Sequence, residues 1–381
     1  MKAVFTGYYG FDNFGDDLFT LACALGARRF WPEVDCSIAA PPTADLAATG
    51  VKLSPLVSAN GDYGQGGWLG FACRLGTLVR ALSANDLVVL GGGSVFTSGS
   101  LTALRRVQEA ACALRLARFA ALGISFGPFE NTGHERRCVE FLKRFEYIAT
   151  RDMASHRALE SYRLPAKLAA GRDLAGLIPL LHEPAPAPSS RPVLGVAPCN
   201  FLKPGVGELH DELFAAVETF AAGRDLLVRC FVLNSHPRFG DDELADRLIG
   251  RLSARGVEVE GASLSEGTLH VWDRIASCHL MASVRLHGAV AAYLAGVPFL
   301  MVEYHDKCGE FVADVGQPEV LRVGRGDATR ERILRALEEG LAAPPPSLSP
   351  QEYARQAAVN FTAAPWCGDR GGGWGRSGDA A

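Results

Sequence analysis

With 381 residues, the chain exceeds the size at which one hydrophobic core usually keeps growing, so two domains are expected. Apolar residues make up 48% and charged residues 21%, ordinary for a globular chain that buries two cores. Thirty-eight basic against 42 acidic side chains leave a net charge of −4, which offers no general attraction to a nucleic-acid backbone and argues against nucleic acid as a partner.

Met1 to Thr6 reaches Gly7 after too short an apolar run for a signal peptide. The longest apolar segment with helical character, Leu101 to Leu122, carries Arg105, Arg106, Glu109, Arg115 and Arg118, which bars it from a membrane span. A cytoplasmic protein is the expectation. The ten cysteines are scattered singly with no CxxC pair, as for reduced, buried thiols. The ligand spacing of a zinc site is missing, so no metal is expected.

Short apolar or β-branched runs alternate with helical stretches, the pattern of a parallel sheet covered by helices. Strands are predicted near Ala3–Thr6, Asp86–Leu90, Ala120–Ser125 and Tyr147–Thr150, with helices such as Asp16–Arg29 and Glu135–Phe145 in the gaps. Four prolines between His182 and Pro192 mark a stiff, extended linker. A second set of strands follows near Val193–Ala197, Leu226–Leu233, Val257–Glu260, His279–Val284 and Phe299–Tyr304. The expected fold class is therefore α/β, with two Rossmann-like domains facing a cleft: an N-terminal domain over 1–182, a linker over 183–192, a C-terminal domain over 193–342, a C-terminal extension with one helix over 343–366, and a disordered tail over 367–381.

The first strand runs into Gly7-Tyr8-Tyr9-Gly10-Phe11-Asp12-Asn13-Phe14-Gly15-Asp16-Asp17. Its glycines permit a sharp turn or close approach to a ligand, and Asp16 or Asp17 is placed to cap the following helix. A capped βα turn is one reading. The other is a ligand loop, and two carboxylates in the first helical turn would repel a phosphate, so a neutral hydroxylated ligand held by Asn13 and Asp16 suits it better. Asp86 to Leu90 leads into Gly91-Gly92-Gly93, where the backbone makes a tight turn or closely approaches a ligand at the carboxyl edge of the sheet. Arg151, Asp152 and Ser155 repeat the theme of polar residues at a strand end, or else Asp152 or Ser155 caps the helix through Leu159 and Arg151 is an internal salt-bridge partner.

In the second half, Arg285 and His287 emerge where an apolar strand stops and a small-residue helix, Gly288 to Leu294, begins. If that junction stays extended, both side chains share a face. Arginine offers a planar fork for carboxylate or phosphate, histidine exchanges a proton near neutral pH, and Lys307 follows the next strand. These are groups suited to holding a phosphorylated acid and moving a proton on it. Asp306 either orients Lys307 or caps a turn. Histidines 134, 156, 182, 210, 236, 270 and 279 read as structural or surface residues.

Taken in order, Gly7 to Asp17, Leu90-Gly91-Gly92-Gly93, Gly127-Pro128, Arg151-Asp152 with Ser155, Arg285-Leu286-His287, and Gly296-Val297-Pro298 with Tyr304 and Lys307 resemble the polysaccharide pyruvyl transferase family. The resemblance implies a fold similar to the glycosyltransferase-B architecture, phosphoenolpyruvate as donor and co-substrate with no further cofactor, and two hydroxyls of a sugar as acceptor. The acceptor would be a sugar, a polysaccharide or a lipid-linked oligosaccharide, which leaves open a peripheral contact with the inner membrane. It implies a donor site at Arg285 and His287, with Lys307 and, where relatives tend to carry an arginine, Lys203. Asp173 sits where relatives tend to have an aspartate. Asn13, Asp16, Gly92 and Gly93 would face the acceptor, with Arg285, His287 and Asp16 as catalytic residues. The alternatives are a nucleotide-sugar-dependent glycosyltransferase of the same fold and a non-catalytic sugar-binding protein. Tyr63 and Trp68 are candidates for stacking on a sugar ring or for the core.

Overall fold

The computed structural model describes residues 1–54, 63, 64, 66–100, 102–185, 189–200, 206–236 and 240–367. Lys203, part of the loop from Asn60, Leu101 and the tail from Gly368 lie outside the described residues.

The alternation of apolar runs and helices resolves into two parallel sheets. The first has seven strands, β1 (Lys2–Thr6), β2 (Asp35–Ile38), β3 (Lys52–Leu53), β4 (Leu87–Phe96), β5 (Arg118–Phe126), β6 (Tyr147–Thr150) and β7 (Lys167–Ala170), in the order β3-β2-β1-β4-β5-β6-β7. The second has six, β8 (Val193–Ala197), β9 (Leu227–Val232), β10 (Glu258–Ser263), β11 (Leu280–Ser283), β12 (Phe299–Val302) and β13 (Arg322–Val323), in the order β10-β9-β8-β11-β12-β13. Every pairing within these sheets is parallel. The fold class is α/β, as the sequence indicates. Central strands such as β6, β8, β9 and β11 are buried along their whole length, which is why they read as continuous apolar runs instead of alternating ones. On one face of the first sheet, Val88, Leu90, Phe119, Ala121 and Ile148 pack against Leu78, Leu82 and Phe141 from the helices and Phe145 from the turn after one of them.

The chain divides into two compact units. The first contains Met1–Phe11, Asp16–Leu181 and Ala354 onwards; the second contains Asp12–Gly15 and His182–Tyr353. The C-terminal helix, Pro350–Thr362, is thus no separate extension. Asn360, wholly buried, accepts from the Gly123 N–H at 2.7 Å through its Oδ1 and donates to the Arg172 carbonyl at 2.9 Å. Trp31 Nε1 donates to the Phe361 carbonyl at 3.0 Å and Tyr147 donates to the Val359 carbonyl at 2.9 Å. Apolar periodicity alone does not show which unit such a helix will cover.

Two local readings need correction. Leu101 to Leu122 is not one helix, since its described part is the helix Ala103–Ala113 followed by β5, with the chain reversing at Arg115, φ 53°. The helix after the N-terminal loop begins at Phe14, so Asp16 and Asp17 lie in its first turn and do not cap it; the Asn13 carboxamide oxygen accepts from the Gly15 N–H at 3.2 Å. None of the described helices is long and apolar enough to cross a membrane.

Candidate functional site

In each sheet the strand order reverses once, between β1 and β4 in the first and between β8 and β11 in the second. Open parallel sheets bind ligands outside the carboxyl ends of strands at such a reversal. The N-terminal glycine-rich loop leaves the end of β1, and the Arg285–His287 motif leaves the end of β11.

In the second unit, β8 ends in Pro198-Cys199-Asn200 and β11 in Val284-Arg285-Leu286-His287, and the two exits run together, with Val284 donating to the Ala197 carbonyl at 2.9 Å. Arg285 does not stand out as an unengaged ligand group. Its Nε and Nη2 donate to Asp241 Oδ2 and Oδ1, each at 2.7 Å, in a two-pronged pair with a wholly buried carboxylate. Asp241 Oδ1 also accepts from the Asn200 N–H at 2.8 Å, and its own N–H donates to the Asn234 carbonyl at 2.7 Å. Burial raises the Asp241 carboxyl above its usual range, against the pull of Arg285. Burial lowers the Arg285 guanidinium, but Cys199, Asp241 and Tyr304 outweigh it, so the net shift is upward and Arg285 stays charged. The buried acid thus holds this cation in one place and one orientation at the strand end.

Around this pair lie Cys199, Tyr304 and Lys307. Burial pushes the Cys199 thiol up to about 11, although Arg285 and Lys307 favour its ionisation. The Tyr304 hydroxyl, hydrogen-bonded to Cys199, is likewise raised by burial. Tyr304 follows β12, and Lys307 lies half-buried in the first turn of the helix Asp306–Asp314, its Nζ 5.6 Å from the Tyr304 ring centre. His305, not Asp306, caps that helix, accepting from the Lys307 N–H at 3.4 Å, while Asp306 pairs with Arg325 at 3.2 Å. Buried His210 accepts from the Cys199 N–H at 3.3 Å, a structural role.

His287 departs from the geometry expected for it. Arg285 is still extended but is the N-cap of a helix that starts at Leu286, so Leu286 and His287 are already helical and the two side chains do not alternate as strand neighbours. His287 instead occupies the first helical turn, half-buried. Its ring packs on Gly15: a β-carbon built there would lie 2.5 Å from His287 Cε1 and 2.6 Å from Cγ. Residues 12–15 are pinned to the second unit by backbone bonds, Phe14 N–H to the Leu233 carbonyl at 3.0 Å and Ser235 N–H to the Asp12 carbonyl at 2.9 Å, and by a bridge between Asn13 and Asn234. Asp12 takes a left-handed φ of 50° to enter this bridge, a conformation aspartate tolerates better than most residues.

In the first unit, most of the glycines answer to packing. A β-carbon at Gly91 would lie 2.6 Å from Cys23 Sγ and overlap the Tyr9 hydroxyl, which donates to the Gly91 carbonyl at 2.8 Å; one at Gly92 would lie 2.6 Å from the Phe19 ring. Gly93, with φ 86°, is different, since a β-carbon there would meet only Phe19 at 3.5 Å and Asp16 Oδ1 at 3.8 Å. Asp16 therefore lies beside Gly93 within β4, which does not stop at the three glycines as the sequence suggests but runs through them to Phe96, Gly91 and Gly93 still pairing with Leu122 and Ile124. Its charge, after burial, helps to raise the Tyr8 phenol, and Tyr8, half exposed, stacks on Phe11 with ring centres 4.0 Å apart. Tyr63 is buried and Trp68 exposed. Asp152 caps the helix Met153–Ser161, and Arg151 lies 3.7 Å from Asp173, which itself caps a short turn, so all three have structural roles. Among the described residues no group of three His, Cys, Asp or Glu is arranged to hold a metal ion.

Sequence reasoning missed Asp241. It opens an acidic run, Asp241-Asp242-Glu243, at the start of the helix Asp242–Ser253 and looks like an ordinary cap, yet its side chain makes no capping bond. The available signal was the need of a buried arginine for a carboxylate.

A model of the polysaccharide pyruvyl transferase family matches residues 13–306. The chain belongs to that family. No curated protein matches this pyruvyl transferase family member. Among solved structures it is similar to a putative UDP-N-acetylglucosamine 2-epimerase from Listeria monocytogenes (12% identity, TM-score 0.62, covering 95% of this chain and 93% of that one). It is also similar to the UDP-GlcNAc 2-epimerase from Neisseria meningitidis bound to UDP-GlcNAc (13%, 0.57, 95% and 96%) and to an α,α-trehalose 6-phosphate synthase from Burkholderia multivorans (13%, 0.51, 95% and 92%). At these identities the likeness is one of fold, the glycosyltransferase-B-like arrangement of two parallel α/β sheets.

Proposed function

We propose that this family member transfers the pyruvyl group of phosphoenolpyruvate to two hydroxyls of a sugar in a polysaccharide or its lipid-linked precursor, forming a ketal. The observation that carries the reading is the Arg285–Asp241 pair at the strand-order reversal, with Lys307 and Tyr304 beside it and His287 two residues on, in the first turn of the helix that Arg285 caps. Arg285 and Lys307 hold the phosphate and carboxylate of the donor. His287 carries the proton delivered to the methylene carbon. The first sugar hydroxyl adds to the adjacent carbon and gives up its proton, phosphate departs with the C–O bond electrons, and the second hydroxyl closes the ring as its proton passes to phosphate. Proton transfer of this kind contributes about 10²–10⁴ in rate. On the acceptor side, Asp16 orients or deprotonates hydroxyls beside the Gly93 backbone, with the Tyr8–Phe11 stack as a platform for the ring. Asn13, engaged with Gly15 and Asn234, shapes the loop. No metal takes part, and the enzyme works in the cytoplasm.

Against a nucleotide-sugar donor, the acids after β12 that would clamp a ribose are taken, Glu303 lying 3.6 Å from Arg322 and Asp306 paired with Arg325. The test is mass spectrometry of candidate glycans incubated with enzyme and phosphoenolpyruvate. The expected product gains pyruvate less one water, with one phosphate released per ketal. Release of a nucleoside diphosphate from a sugar nucleotide, with phosphoenolpyruvate untouched, would replace this reading by the glycosyltransferase. Sugar binding without either reaction would leave a binding protein.

A further inference from the structure

The helix Gly67–Ala84 is apolar on both faces. Its inward residues, Gly70, Cys73, Thr77, Leu78, Ala81 and Leu82, are buried against the first sheet. Trp68, Ala72, Leu75 and Val79, at the helical spacing i, i+4, i+7 and i+11, form a second stripe on the opposite side. Trp68 is 76% exposed and Val79 51%, with Leu69 and Phe71 exposed beside them. A helix apolar all round is normally covered on all sides, and a contiguous exposed apolar face marks an interaction surface.

Charge indicates what covers it. The helix has no acidic residue, and its two charged side chains are Arg74 and Arg80. At its far end Ser83 and Ala84 share a depression with Arg115 and Leu116, where Leu114 and Leu116 are exposed apolar residues flanking the exposed Arg115. The acids at this depression are engaged, Asp86 by the Lys2 N–H and Glu146 by Arg118. Arg74, half-buried, donates to the Tyr63 carbonyl at 2.6 Å, so in a chain of net charge −4 it is the exposed Arg80 and Arg115 that flank this apolar face. A second copy meeting this face across a two-fold axis would bring the same helix, which has no carboxylate to answer the guanidinium groups. An anionic lipid surface instead takes the apolar stripe into its acyl boundary and the guanidinium groups at its headgroups.

We propose that the face formed by Trp68, Leu75, Val79, Arg80 and the Leu114–Leu116 turn docks on an anionic lipid bilayer. The inference uses neither the donor nor the acceptor assignment, so the two stand or fall separately.

The test is flotation of the full chain with vesicles of phosphatidylcholine alone or mixed with phosphatidylglycerol. Co-flotation with the anionic vesicles is expected, with a blue shift of tryptophan emission that the Trp68→Phe variant lacks. Trp68→Ala with Val79→Asp should weaken partitioning about tenfold or more, as expected when the apolar anchor is lost, and Arg80→Glu with Arg115→Glu should remove the preference for anionic lipid. Because all four side chains are exposed, thermal midpoints should stay near wild type; if Val79→Asp lowers the midpoint, the arginine pair decides. No flotation of the wild type, equal flotation of every variant, or a dimer in sedimentation equilibrium that Val79→Asp dissolves would overturn the proposal.

Discussion

Gly15 lies against the imidazole of His287, so close that the smallest side chain has no room between them. The contact fixes the ring from the side of the N-terminal loop, and only glycine permits it. Gly15→Ala is therefore expected to reorient His287 and lower turnover to the level of a His287 variant. Steady-state rates of pyruvyl transfer check this, and near-normal turnover would remove the contact from the mechanism.

His287→Gln keeps much of the size and hydrogen-bonding capacity but cannot cycle a proton near neutral pH. Turnover should fall about 10²–10⁴-fold while donor affinity by calorimetry changes little, the pattern of an interaction made only in the transition state. Collapsed donor binding with a normal rate at saturation would recast His287 as a phosphate ligand.

The pairing of Arg285 with Asp241 changes what its removal should do. Arg285→Ala leaves a wholly buried carboxylate without its cation, so a loss of about 3–5 kcal/mol of stability is expected together with loss of transfer. Arg285→Lys cannot reproduce the fork and should retain more stability than activity. Urea denaturation beside activity separates the two effects, and an Arg285→Ala protein as stable as wild type would show the pair to be dispensable for folding.

Asn360→Ala removes one carboxamide that serves both Gly123 and Arg172. Each backbone group left unsatisfied in the interior costs about 1–3 kcal/mol, so the midpoint of urea unfolding should drop clearly. An unchanged midpoint would mean that the C-terminal helix contributes little to the first unit.

Alkaline stability should follow the thiols. Burial pushes Cys23, Cys36 and Cys230 up to about 12, and Cys112, Cys138, Cys199, Cys278 and Cys308 up to about 11. Unfolded thiols ionise near pH 8.5, roughly the ordinary value. Between that value and 11–12 the folded state holds more protons than the unfolded one, so stability is complete below the ordinary thiol range and falls as pH rises through it. Buried Tyr9 and Tyr304, also raised, act in the same direction. Urea midpoints at pH 7.5 and pH 10 measure the effect, and equal midpoints would count against it.

The central strands were legible because burial on both faces writes them as apolar runs; Tyr147–Thr150 and Val193–Ala197 match residue for residue. The strand Asp35-Cys36-Ser37-Ile38, one in from the edge and only partly buried, carries no such run and escaped notice. Arg285, His287 and Lys307 were legible as chemistry, since their residue types are rare at the ends of apolar strands. Their geometry was not, because a helix that starts at Leu286 instead of Gly288 removes the strand alternation that would have put His287 on the same face as Arg285. Asp241 lies 44 residues from Arg285 in the chain, and no local pattern reports a contact of that span.

The path of the backbone has a consequence for synthesis. Trp31 donates its indole N–H to Phe361, 330 residues later, while the second unit occupies most of the chain between them. A nascent chain emerging from the ribosome can complete the second unit while the first still lacks its closing helix. The N-terminal sheet, made first, is finished last, and until the final turn emerges its apolar surface around Trp31 is the part of the newborn protein most exposed to a chaperone.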